Sequence, residues 1–135
     1  MTASFSITAE PDRDLVRIRM SGFFTEIDIA AFLEERRRVH GQLTCGPNQH
    51  LTLNDVREMS IQPRDSVAAF QMMLSDPAYR SRRLAFVVAP TLARGQLARA
   101  LSDRNARMFE DPVEAEAWLF YAVDAASPGQ RKAVG

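Results

Sequence analysis

At 135 residues with 46% hydrophobic content, the chain is long enough to bury one core and too short for two. Lys+Arg and Asp+Glu balance at 17 each, which excludes a global field toward nucleic acid or an anionic membrane. Cys45 is the only cysteine, so neither an intrachain disulfide nor a thiolate metal cluster can form within the chain.

Ser4 to Ala9 alternates apolar and polar residues, Glu10-Pro11-Asp12-Arg13-Asp14 supplies a turn, and Leu15 to Met20 alternates again. Two such runs predict a β-hairpin, with Arg17 and Arg19 on the wet face opposite Val16, Ile18 and Met20. Thr25 is placed to cap a helix running to about His40, with Glu26 and Asp28 in its first turn and Ile29, Phe32 and Leu33 inward. The Arg36-Arg37-Arg38 run at its far end reads as a solvated face or as a site for phosphate or lipid headgroups.

After the irregular loop Gly41 to Gln49, a strand is expected from His50 to about Asn54, ending in a polar loop. Pro63 is expected at the first position of a helix covering Asp65 to Ser75, its inner stripe Val67, Phe70 and Leu74 with Met73 beside it. Met72 and Met73 fit core packing or a plastic binding surface. Arg82 and Arg83 precede the continuous apolar run Leu84 to Ala89, which reads as a strand covered on both faces. A helix from Thr91 to Leu101, a turn at Ser102 to Asn105 and a short strand from Ala106 to Phe109 follow. The last helix has Asp111 as N-cap, Pro112 at its first position, and Val113, Ala117, Phe120 and Tyr121 as its expected inner stripe.

The order is thus ββαβαβαβα: an α/β fold with a single-layer mixed sheet of four to five strands flanked by helices. Residues 1–124 read as the domain and 125–135 as a flexible tail. The opening stretch lacks a basic region followed by an apolar run, and no apolar stretch approaches the roughly 20 residues that span a bilayer. The expectation is a cytoplasmic protein that neither inserts into membrane nor binds nucleic acid.

The leading hairpin, the LTLNDV strand and the closing segment Phe109-Glu110-Asp111-Pro112-Val113-Glu114-Ala115-Glu116-Ala117-Trp118-Leu119 resemble the SpoIIAA-like group related to STAS domains. The resemblance implies a cofactor-free regulatory or binding module that forms a homodimer. STAS-type antagonists carry a phosphorylatable serine in an Asp-Ser-Ser-Gly turn after this strand. Here the neighbourhood reads Pro63-Arg64-Asp65-Ser66, without the serine pair and the glycine, so neither Ser60 nor Ser66 is assigned as a phosphosite.

Ligands of open α/β sheets collect at the carboxyl ends of the strands, which makes Asn54, Asp55, Arg57, Ser60 and Gln62 the candidate binding residues. Asp55 has two readings: an Asx-turn to its own backbone, or a polar surface shared with Arg57, Ser60 and Gln62. No catalytic set emerges, because Cys45 and Asp55 lie at opposite ends of the strand, about 30 Å apart if extended. His40 and His50 lack ligand spacing for a metal site, and no Gly-rich phosphate motif is present. The sequence therefore favours a non-enzymatic module that binds a protein partner or a small apolar or anionic ligand. The alternative is a small lipid or apolar-ligand carrier, or a small enzyme, using the strand carboxyl ends.

Overall fold

The computed structural model describes residues 2–60, 62–90 and 106–125, with the backbone alone at 122–125. The predicted helix from Thr91 to Leu101, the turn at Ser102 to Asn105 and residues 126–135 of the expected tail lie outside the described residues.

The chain opens with strands β1 (Ser4–Glu10) and β2 (Leu15–Gly22), paired antiparallel with Phe5 opposite Met20 and Ile7 opposite Ile18. Pro11–Arg13 forms one turn of 3-10 helix, and Asp14 reverses the chain at φ 53°, a left-handed position that aspartate tolerates. β2 runs parallel to β3 (Leu51–Met59), β3 to β4 (Arg83–Val87), and β4 to β5 (Ala106–Phe109). The five-stranded sheet therefore has the order β1-β2-β3-β4-β5, mixed only at the hairpin edge. This is the α/β architecture expected from the alternation of strands and helices.

Helix α1 (Glu26–His40) starts in a capping box, in which Thr25 Oγ1 accepts from the Asp28 N–H and the Asp28 carboxylate accepts from the Thr25 N–H. It buries Ile29, Phe32 and Val39 against Ile7, Val16, Ile18 and Met20 of the hairpin. Burying a side chain the size of Phe32 is worth about 2–3 kcal/mol. Helix α2 (Arg64–Ser75) lies on the same face, with Phe70 and Met73 against that cluster and Leu74 against Leu84, Phe86 and Val88. Pro63 stands at its N-cap rather than inside its first turn.

Helix α3 (Pro112–Ala125) covers the opposite face, where Leu15, Leu51, Leu53, Ala85 and Val87 meet Ala115 and Leu119. Asp111 caps it as expected, accepting from the Val113 N–H at 2.9 Å. β4 is accordingly buried on both sides, as its unbroken apolar run requires.

The inner stripe of α3 differs from the expectation. Ala115 and Leu119 are fully buried, whereas Val113 and Tyr121 are 75% and 72% exposed. The helix is apolar around most of its circumference, so periodicity alone leaves its rotation open. Its rotation is fixed by Glu116, whose carboxylate accepts from Arg13 Nη2 and Arg17 Nη2 at 2.9 Å each. Glu10 binds the same two arginines, and the Arg13 guanidinium lies 4.4 Å from the centre of the Phe120 ring. The bond from Arg17 holds the Glu10 carboxyl below its ordinary range, and the bond from Arg13 does the same for Glu116.

Candidate functional site

β3 does not end at Asn54. It continues to Met59 through a bulge: Arg19 pairs with Asp55 and Ser21 with Glu58, so β3 carries one residue more than β2 between these pairs. The expected polar loop is therefore a bulged strand. Sequence pattern missed it because Asp55, Arg57 and Glu58 break the apolar alternation without breaking the pairing. At the bulge Asp55 Oδ1 accepts from the Arg57 N–H at 3.1 Å, and the Arg57 guanidinium grips the same carboxylate at 3.0 and 2.7 Å. Both readings of Asp55 thus have a physical counterpart, a local backbone bond and an ion pair at the surface. Partial burial raises the Asp55 carboxyl, but the Arg57 bonds and the charges of Arg57 and Arg19 outweigh it and hold the group below its ordinary range.

The five candidate residues occupy three separate places. Asp55 lines a groove of about 280 Å³ on the α3 face, with Ser6, Thr8, Arg17 and Arg19 from the hairpin and Pro112 from the start of α3. α3 packs mainly over β3, β4 and β5 and reaches β2 at Leu15 and Arg17, while Ser6 and Thr8 of β1 stay exposed along this groove. Arg57 is exposed beside Asp55, and Arg19 pairs with Glu58 at 3.0 Å. Asn54 points to the other face, buried beneath α1 and α2, because neighbours in a strand alternate.

Ser60 and Gln62 belong to the scaffold. The Ser60 N–H donates to the Gly22 carbonyl at 3.3 Å. Gln62 is buried; its Oε1 accepts from the Phe24 N–H at 2.9 Å, and its Nε2 donates to the carbonyls of Gly22 and Ser60. Ser66 donates its hydroxyl proton to the Phe24 carbonyl at 2.6 Å and is also buried. These bonds clamp the exit of β2 to the entry of α2, which supplies the buried backbone groups there with partners.

A second polar constellation lies beneath α1 and α2. Arg36 of α1 is 8% exposed, while its neighbours Arg37 and Arg38 are solvated and paired with Glu34 and Glu35. The arginine run is thus a solvated face at two positions and a buried cation at the third. The Arg36 guanidinium stacks 4.0 Å from the centre of the Tyr79 ring. His40 packs edge-on against both His50, at 4.6 Å, and Tyr79, at 5.0 Å. Burial, followed by the charges of His50 and Arg36, lowers the His40 imidazole to about 4. Helical spacing did hold a signal, since Phe32, Arg36, Val39 and His40 share the inner side of α1.

The architecture is that of a SpoIIAA-like fold, with a groove around Asp55 on one face of the sheet and a buried polar cleft beneath two helices on the other. The particular likeness is to an uncharacterized protein of the DUF3478 family with a SpoIIAA-like fold from Shewanella loihica PV-4. The two superpose with a TM-score of 0.63 at 16% sequence identity, over 87% of this chain and 93% of that one. No protein-family model matches the sequence, and no curated protein matches it.

Proposed function

We propose that the chain is a non-enzymatic interaction module whose docking face is the open sheet surface around Asp55. The observation that carries this reading is the groove itself. It is a wide depression with Leu53 and Val87 in its floor, in which the charged groups Arg17, Arg19 and Asp55 are already paired, bordered by the exposed Ser6 and Thr8 of β1. Pre-paired charges on a rigid sheet suit a partner segment with its own donors and acceptors, and they fix register more than they add affinity.

A carrier requires a closed apolar pocket, for which Phe70, Met72 and Met73 of α2 are the candidate lining. Met72 is 76% exposed, while Phe70 and Met73 pack against the core, so these three do not enclose a cavity together. Among the described residues no helix is long and apolar enough to cross a membrane. We place the module in the reducing cytosol, where its lone Cys45 stays a thiol. We also adopt the homodimer that the resemblance implies, with β1 at the end of the sheet as the strand available to a second copy.

Native and denaturing mass spectrometry of the same purified sample tests the reading. A dimer mass without adduct is the expected result. A mass excess that disappears on denaturation identifies a copurified small ligand and overturns the interaction reading in favour of the carrier.

A further inference from the structure

The cleft beneath α1 and α2 contains two buried polar atoms without a hydrogen-bond partner, Arg36 Nε and Asn54 Oδ1. Both residues line the same cavity of about 40 Å³, together with Thr52, Ser81, His40 and Tyr79. A water needs roughly 10–15 Å³ by this measure, so the space exceeds one water and admits a monatomic anion.

The charge in the cleft is poorly compensated. Among the described residues the one carboxylate within 4 Å of the Arg36 guanidinium is Asp76, at 3.9 Å from Nη2 and itself 40% exposed. Nη1 reaches the Met73 carbonyl at 3.5 Å, the outer limit of a hydrogen bond. A buried cation without a close counter-charge is destabilising, and an acceptor beside Nε relieves that cost. Two further donors are within reach of the same space. Thr52 Oγ1 lies 2.6 Å from Ser81 Oγ, which lies 3.2 Å from His50 Nε2. When His50 donates through Nε2, Ser81 donates to Thr52, and the Thr52 proton is left to point into the cavity. Turning the Asn54 amide about χ2 exchanges Oδ1 for Nδ2 and adds an N–H donor without changing shape.

We propose that this cleft is a binding site for a small monovalent anion of halide size, held by Arg36 Nε–H with Thr52 and Asn54. The site is separate from the groove around Asp55 and lies on the opposite face of the sheet. It ties α1 to β3 and to the segment between α2 and β4, so occupancy stabilises the fold through ordinary ligand linkage.

The test is urea unfolding of the full chain in sodium bromide and in sodium gluconate at matched ionic strength, with crystals grown in bromide for anomalous diffraction. Expected are an unfolding midpoint that rises with bromide and not with gluconate, and a bromine peak beside Arg36 Nε. Asn54→Asp supplies a built-in negative charge and is expected to abolish the bromide dependence while remaining folded. Arg36→Met is expected to abolish it as well, and the aspartate variant decides the matter if the methionine variant does not fold. Equal midpoints in the two salts, a cavity holding only water in the bromide map, or an Asn54→Asp variant as bromide-dependent as the parent would overturn the proposal.

Discussion

Acidification tests the buried cleft quantitatively through His40. Its imidazole titrates at 6.5 when unfolded and at about 4 in the folded chain, because burial and the neighbouring His50 and Arg36 disfavour its charged form. Between these values the unfolded state holds a proton that the folded state lacks. Stability is therefore intact above pH 6.5, falls as the pH drops toward 4, and stops falling on this account below it. At about 1.4 kcal/mol per pH unit the ceiling is about 3 kcal/mol, and partial solvent access at His40 reduces the expectation to about 2 kcal/mol. His40→Phe keeps an aromatic ring against Tyr79 and His50 and removes the titration. Urea unfolding followed by the fluorescence of Trp118, the only tryptophan, should show the parent losing about 2 kcal/mol more than the variant between pH 7 and 4.5. Glu10, Asp55 and Glu116 have lowered values, so their contributions are present above the ordinary carboxylate range and are lost mainly below this window. Parallel stability curves for parent and variant would refute the assignment of His40 as a buried neutral group.

Three further outcomes follow from the packing. Gln62→Ala removes one acceptor and two donor contacts from buried backbone groups and is expected to cost about 2–3 kcal/mol in urea unfolding, against under 1 kcal/mol if Gln62 were a surface ligand contact. Gly22 stands at φ 81°, and a Cβ there would lie 2.3 Å from the Thr2 carbonyl oxygen, so Gly22→Ala is expected to lower stability by about 2–3 kcal/mol; an unchanged unfolding midpoint would contradict this geometry. On α3, Val113→Ser is expected to stay within about 0.5 kcal/mol of the parent, whereas Ala115→Leu overpacks the sheet and costs about 1–3 kcal/mol; the reverse ranking in thermal unfolding would restore the stripe expected from periodicity.

Periodicity and punctuation carried the fold where each element had a single consistent reading. The hairpin alternation, the Thr25 cap and the Asp111-Pro112 start correspond to what the backbone does, and the unbroken Leu84 to Ala89 run contains β4, which ends at Val87. Two features were hidden for physical reasons. A bulge adds a residue without a composition signal, so the polar half of β3 read as loop, and an almost wholly apolar helix does not encode its own rotation. The candidate site was legible as a neighbourhood more than as a residue set. Asp55 lines the groove, but the one-residue alternation of a strand sends Asn54 to the opposite face, and Gln62 turns inward to the backbone. Alternation puts Arg17 and Arg19 on a wet face but carries nothing of the long-range pairing to α3 and β3 that makes them walls of the groove. Within Arg36-Arg37-Arg38 only helical spacing from Phe32 sets the first arginine apart, and its stacking on Tyr79, some forty residues away, has no local signal.

The most direct test of the docking face is site-specific photo-crosslinking in cells, with the reactive residue at Thr8 in the groove and, as control, at Glu34 on the solvated side of α1. The interaction reading predicts a discrete crosslinked partner from Thr8 that is absent from Glu34 and is lost when Asp55→Arg reverses the groove charge in a variant that remains folded. Identical crosslinking from both positions, or a Thr8 product indifferent to Asp55→Arg, would contradict it.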